Sequence, residues 1–273
     1  MARILAAGGL PGKYAGPLRS VHPKDTSPDA EAWQTRAMIR LWLGLFIVIL
    51  GGCSRFDPAT SRGDPDVTAL RYVALGDSYT IGTSVATADR WPNQLVERLD
   101  SGTRSVRLID NLAVNGFTSA DVIERELPHL DELRPEFVSL LVGVNDVVQG
   151  VPAATFEANA AALLDALLAR VPADRIVVVS TPDYTVTPEG ASFGDPAIQS
   201  AGIVRNNAIL AALAGVRGIA FVDIYDLSLR AADDPSLTAD DGLHPSGAQY
   251  ALWVERVAPV VVTLLRRPDA TAD

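Results

Sequence analysis

The feature that most constrains this chain is an alternation that begins at Arg71. Short, almost continuous apolar runs stand at residues 72–75, 106–109, 137–142, 176–179 and 219–224. Between and after them lie stretches of helical spacing, at 91–99, 120–133, 156–170, 203–214 and 248–265. The third of these is the clearest, with Phe156, Ala160, Leu163, Leu164, Leu167 and Leu168 on one face. A strand that is apolar at successive positions must be covered on both faces, which is the signature of a parallel sheet between helices. The expected class is therefore α/β with a central five-stranded parallel sheet. Functional groups in such a sheet gather beyond the carboxyl ends of the strands.

Charge divides the chain unevenly. Residues 1–52 carry 6 Lys+Arg against 3 Asp+Glu (+3), and the rest carries 17 against 30 (−13). A body this acidic repels phosphates, so no nucleic acid is expected among its partners. One cysteine, Cys53, excludes an intramolecular disulfide, and with His22, His129 and His244 as the three histidines no metal site of the usual zinc type is expected.

Residues 1–36 show no sustained period. Then Arg40 precedes a dozen apolar or glycine positions ending in Leu50-Gly51-Gly52-Cys53. That run is shorter than the ~20 residues needed to span a bilayer. A basic start, a short apolar centre and small residues at its end describe an export signal. The ending resembles the lipobox of bacterial lipoproteins, which implies lipidation of Cys53, removal of residues 1–52, and a membrane-anchored protein of the cell envelope. Met38 stands where a compact signal of this kind would begin, so translation is expected to start there. Residues 53–70, with two Asp-Pro pairs, read as a tether. A single domain is expected over 71–266, with a tail at 267–273.

The segments immediately beyond the strands carry few candidates for chemistry. The first strand runs into Gly76-Asp77-Ser78, which equally describes a turn that caps a helix and a serine held where backbone N–H groups converge. After the second comes Asn115-Gly116-Phe117-Thr118, and after the third Gly143-Val144-Asn145-Asp146. Behind the fourth, Ser180-Thr181-Pro182-Asp183-Tyr184 opens a Gly/Pro-rich loop whose Phe193 suggests a modest apolar wall. Beyond the fifth lies Asp241-Gly242-Leu243-His244-Pro245, which by itself also reads as a turn before the last helix. A serine nucleophile needs a base, an acid to hold the base, and donors for an oxyanion. His22 falls in the segment expected to be removed, and His129 sits in a charged helical stretch with Glu124, Arg125 and Glu126, which leaves His244.

The blocks at Ser78, Gly116, Asn145 and His244, in this order, resemble the GDSL, or SGNH, hydrolases over roughly residues 72–265. The resemblance implies a three-layer α/β/α, flavodoxin-like fold and a serine esterase without metal or organic cofactor. It implies Ser78 as nucleophile, His244 as general base and acid, and Asp241, by its three-residue offset, as the orienting carboxylate. It further implies an oxyanion hole from the N–H groups of Ser78 and Gly116 and the side-chain amide of Asn145. Asp77 and Asp146 are expected to be structural. The substrate would be a lipid acyl ester, a lysophospholipid or a sugar acetate. Acyl transfer, or a binding lipoprotein of the same fold without the chemistry, are the alternatives.

Overall fold

A computed structural model describes residues 69–100 and 105–266. The expectations attached to Met38, to Cys53 and its signal, to the tether up to residue 68 and to the tail at 267–273 lie outside the described residues. Five strands are present: β1 (Leu70–Gly76), β2 (Val106–Asn111), β3 (Phe137–Leu141), β4 (Ile176–Val179) and β5 (Ala220–Val222). All neighbours pair in parallel, in the order β2-β1-β3-β4-β5. Strand order reverses at the β1/β3 junction, which is where a doubly wound sheet opens a crevice at its carboxyl edge.

The two faces of the sheet are covered separately. Tyr72 and Ala74 of β1, Phe137 and Leu141 of β3 and Val177 and Val179 of β4 point into one core. That core is filled by α2 (Trp91–Asp100) and α9 (Gly247–Leu265) through Trp91, Leu95, Trp253 and Val257. Alternate residues, among them Val73, Leu75, Val138 and Val178, point into the other core, against Leu163 and Leu167 of α6 (Ala153–Leu168) and Leu210 of α7 (Pro196–Val216). Each large side chain so buried contributes roughly 1.5–3 kcal/mol of transfer free energy. Length and composition would let α9 cross a membrane, but Trp253, Val257 and Val261 are fully buried against the sheet.

Element bounds depart from expectation where a local rule was stronger than the apolar period. The chain joins the sheet at Leu70, the last residue assigned to the tether. The helix expected over 120–133 is four short pieces: α3 (Ser119–Asp121), a π turn (Val122–Glu126), a 3₁₀ turn (Leu127–His129) and α4 (Leu130–Leu133). Pro128 cannot donate the hydrogen bond a regular helix would need there, so the backbone widens and then tightens around it. In turn, α7 begins at Pro196 rather than 203, because Asp195 accepts from the N–H groups of Ala197 and Ile198 and proline fits the first turn. β5 is shorter than the 219–224 run, since Asp223 and Ile224 already turn toward α8 (Tyr225–Ser228).

Candidate active site

The end of β1 is fixed from below. Gly76 has φ +147, and a Cβ there would lie 2.1 Å from the carbonyl oxygen of Leu141 on β3, so only glycine lets the strand ends close up. Asp77 comes next, as N-cap of α1 (Ser78–Ile81), its Oδ1 accepting from Tyr79 N–H at 3.0 Å. The turn reading and the exposed-donor reading of Gly-Asp-Ser therefore hold at once. Ser78 is the first residue of α1, and its N–H is among the unpaired donors of a helix start.

Two further donors face the same space. Gly116 has φ +81 and nothing within 4 Å of a built Cβ, so its glycine answers to the backbone angle and not to crowding. Among the described residues no acceptor takes the N–H of Ser78 or of Gly116. Asn145 stands in the first turn of α5 (Val144–Val148), after Gly143 at φ +130. One hydrogen of its amide is used on the Phe117 carbonyl, with Nδ2 at 2.9 Å, which fixes the side chain and leaves the other free.

On the opposite side, the loop before α9 carries the histidine. His244 Nδ1 lies 2.7 Å from Asp241 Oδ2, while Asp241 Oδ1 accepts the N–H groups of Leu243 and His244 at 2.9 Å each. With Nδ1 committed to Asp241, Nε2 is the ring nitrogen left for another partner. Burial pushes the Asp241 carboxyl up, but hydrogen bonds from Ser84, from the two N–H groups and from the imidazole outweigh it and hold the group well below the usual carboxylate range. Ser78, Gly116, Asn145 and His244 line one cavity of about 220 Å³, walled by Tyr79, Val144, Val148, Tyr184, Phe193 and Leu243. Among the described residues, no group of three His, Cys, Asp or Glu is arranged to hold a metal ion.

A family model of the GDSL-like lipase/acylhydrolase family matches residues 74–252. The chain belongs to this family. It is a hydrolase. Its fold is shared with a catalytic mutant of an acetylxylan esterase from Geobacillus stearothermophilus (19% identity, 71% of this chain and 94% of that one, TM-score 0.57). TesA (22%, 71% and 99%, TM-score 0.55) and an extracellular lipase from Streptomyces rimosus (21%, 72% and 100%, TM-score 0.54) share it as well. No curated protein sequence matches the chain.

Around the site of this GDSL-like hydrolase, three features were not read from the sequence. Tyr79 packs its ring 5.6 Å from that of His244, so the residue after Ser78 also forms the floor beneath the imidazole. Ser84 donates to Asp241 Oδ2 at 2.6 Å. Glu126, placed by sequence in a charged helical stretch, is 1% exposed, and its Oε2 accepts the Gly76 N–H at 2.9 Å. The π turn is what rotates Glu126 inward, between the buried Val122 and Leu127; Pro128 was the available signal. His129 is exposed, in keeping with the surface role read for it.

Beneath the serine, burial dominates the acids. It pushes the Asp77 carboxyl up to about 8, reinforced by the nearby Asp146 charge and opposed by the Tyr79 N–H. Glu126 is pushed up to about 9 by burial, against the bond from Gly76. Asp146 is raised too, by burial, although Ser119 gives it two donors, its N–H at 2.9 Å and its hydroxyl at 2.5 Å.

Proposed function

We propose that this hydrolase cleaves carboxylic esters through an acyl-enzyme formed on Ser78. The observation that carries the reading is the convergence on one cavity of Ser78, two unpaired N–H groups, a half-free Asn145 amide and a histidine oriented by a carboxylate. Ser78 Oγ attacks the carbonyl carbon as His244 Nε2 takes its proton, and the carbonyl oxygen becomes an oxyanion. The N–H groups of Ser78 and Gly116 and the amide of Asn145 donate to that oxyanion, each donor typically being worth about 10²–10³ in turnover. His244 then gives the proton to the leaving alcohol as the tetrahedral adduct collapses. Water, deprotonated by the same nitrogen, releases the acid and restores Ser78. Asp241 stays ionised throughout and stabilises the imidazolium.

The acyl group would lie against Val144, Val148, Tyr184 and Phe193, the last two in edge-to-face contact with centroids 5.5 Å apart. About 220 Å³ is below the ~300–1,000 Å³ of drug-sized ligand pockets, which favours short to medium acyl chains, including sugar acetates, over long lipid chains. The acetyl specificity named for one structural neighbour is compatible with this preference.

A series of p-nitrophenyl esters from acetate to palmitate tests the reading. Activity should peak at short or medium length and vanish in Ser78→Ala and His244→Ala. Equal rates in the wild type and both variants would end it.

The sequence Leu50-Gly51-Gly52-Cys53 supports a lipid anchor on Cys53 and a place in the cell envelope, with membrane-borne or envelope esters as substrates. Metabolic labelling with a radioactive fatty acid should mark the wild type and not Cys53→Ser. Label retained in the variant would remove the anchor.

A further inference from the structure

The loop leaving α1 contains a residue that the scheme above leaves idle. Gly82 closes the helix in the left-handed region at φ +71, as a glycine can. Two residues later Ser84 adopts φ +65 although it carries a side chain. A non-glycine residue keeps such an angle only when surrounding contacts fix it, and such residues cluster at functional sites.

The hydroxyl supplies one such contact. Ser84 Oγ donates to Asp241 Oδ2 at 2.6 Å, on the same oxygen that faces His244 Nδ1 at 2.7 Å. Oδ1 is already filled by two N–H groups, so the carboxylate has four donors for its roughly four lone-pair directions, although its side chain is 29% exposed. Thr83 anchors the same loop on the other side. Its N–H reaches the Ser78 carbonyl at 3.1 Å, and its hydroxyl donates to Asn115 Oδ1 at 2.6 Å, beside Gly116. Residues 83 and 84 thus bind together the serine turn, the loop of the second donor and the acid, three segments far apart in sequence.

We propose that Ser84 is a positioning residue of this hydrolase, its hydroxyl holding Asp241 Oδ2 against the imidazole so that His244 presents Nε2 to Ser78. The inference rests on the roles of Ser78, His244 and Asp241 given under the proposed function. Without the hydroxyl, Oδ2 turns part of its time to water, and when it does face the ring it carries more charge. The first effect lowers the fraction of correctly oriented base. The second stabilises the imidazolium. The other titratable groups around this pair include Tyr79 on the imidazole face, Tyr184 and Asp183, which line cavities with His244, Tyr250, whose ionisation is opposed first by burial and then by the Asp77 and Asp241 charges, Asp240 next in the chain, and Glu189, bonded through its N–H to the Gly242 carbonyl.

The experiment compares Ser84→Ala and Ser84→Gly with wild type and Ser78→Ala in the full chain, on p-nitrophenyl butyrate. Both Ser84 variants are expected to lose about 10-fold in kcat with KM unchanged, the scale of one net hydrogen bond. The acid limb of kcat/KM should move to higher pH by about half a unit. Glycine is at ease at φ +65, so Ser84→Gly should unfold at or above the wild-type temperature and still show the loss. That combination separates the hydroxyl from the backbone. An inactive Ser78→Ala with wild-type kcat and pH profile in both Ser84 variants overturns the role of Ser84 alone; wild-type kcat in Ser84→Gly with a loss only in Ser84→Ala overturns it too, assigning the effect to strain. An active Ser78→Ala overturns this role together with the esterase reading.

Discussion

The two sides of the site are held in different ways. On the serine side, Asp77 is fully buried, Ser78 is 7% exposed, and the turn is fixed by a close backbone approach at Gly76 and a helix cap. On the histidine side, His244 and Asp241 are 14% and 29% exposed, and the loop is fixed by hydrogen bonds that converge on a single carboxylate. Packing makes the first side inseparable from the fold. The second side is a polar assembly laid on the finished fold, so its chemistry can be altered while the protein stays folded.

Substitutions can break or sharpen that contrast. The largest effect is expected for His244→Ala, which should cost about 10⁴-fold or more in kcat on a short p-nitrophenyl ester. Its thermal unfolding should stay within a few degrees of wild type, as measured by circular dichroism. A grossly unfolded His244→Ala would abolish the distinction. Asn145→Ala comes next, at about 10²–10³-fold in kcat with little change in KM, since its amide is partly spent on Phe117. Unchanged turnover would remove Asn145 from the oxyanion hole.

Gly76→Ala should do the reverse and act on stability. A Cβ at φ +147, 2.1 Å from the Leu141 carbonyl, forces the strand ends apart and should cost about 3 kcal/mol or more in urea unfolding. A fully stable Gly76→Ala would mean that the serine side is less rigid than its packing implies.

A smaller effect concerns pH. In the unfolded chain Glu126 ionises near ~4.3, whereas in the fold it keeps its proton up to about 9. Its contribution is therefore complete below pH ~4.3 and is lost as pH rises toward about 9, because the unfolded state releases its proton first. Glu126→Gln keeps the acceptor for Gly76 N–H and removes the titration. It should flatten the fall in stability between pH 5 and 8, leaving the part due to Asp77. Parallel slopes in the two proteins would show that Glu126 ionises within the fold. Smallest of all, Phe193→Ala should change acetate hydrolysis by less than about 2-fold and lower that of medium-chain esters by about 5-fold, the worth of about 1 kcal/mol of apolar contact.

The alternation of apolar runs and helical stretches was sufficient for the sheet and both helical layers, because consecutive buried strand residues leave a pattern in the chain itself. The candidate residues were legible for a related reason, since Ser78, Gly116, Asn145 and His244 each come after a strand that aims them at one edge. What escaped detection depends on three-dimensional partners. Nothing in the local sequence of Ser84 indicates a carboxylate 157 residues away. Glu126 sits among charged neighbours, and only the π turn ahead of Pro128 brings it inside. The early start of α7 was signalled by Asp195-Pro196, a cap and first-turn pair set in a loop-like context.

Glu126 and Asp77 also bear on what the oxyanion encounters. Outside residues 1–52 the chain carries a formal −13, and an anion forming near ionised acids would be repelled by them. Burial raises both carboxyls beneath the serine turn, to about 8 and about 9, so each favours its neutral form at neutral pH and adds little repulsion from below. An acidic protein would thereby keep these two charges out from under the point where the proposed oxyanion forms, leaving Asp241, bonded to the imidazole Nδ1, as the ionised acid of the site.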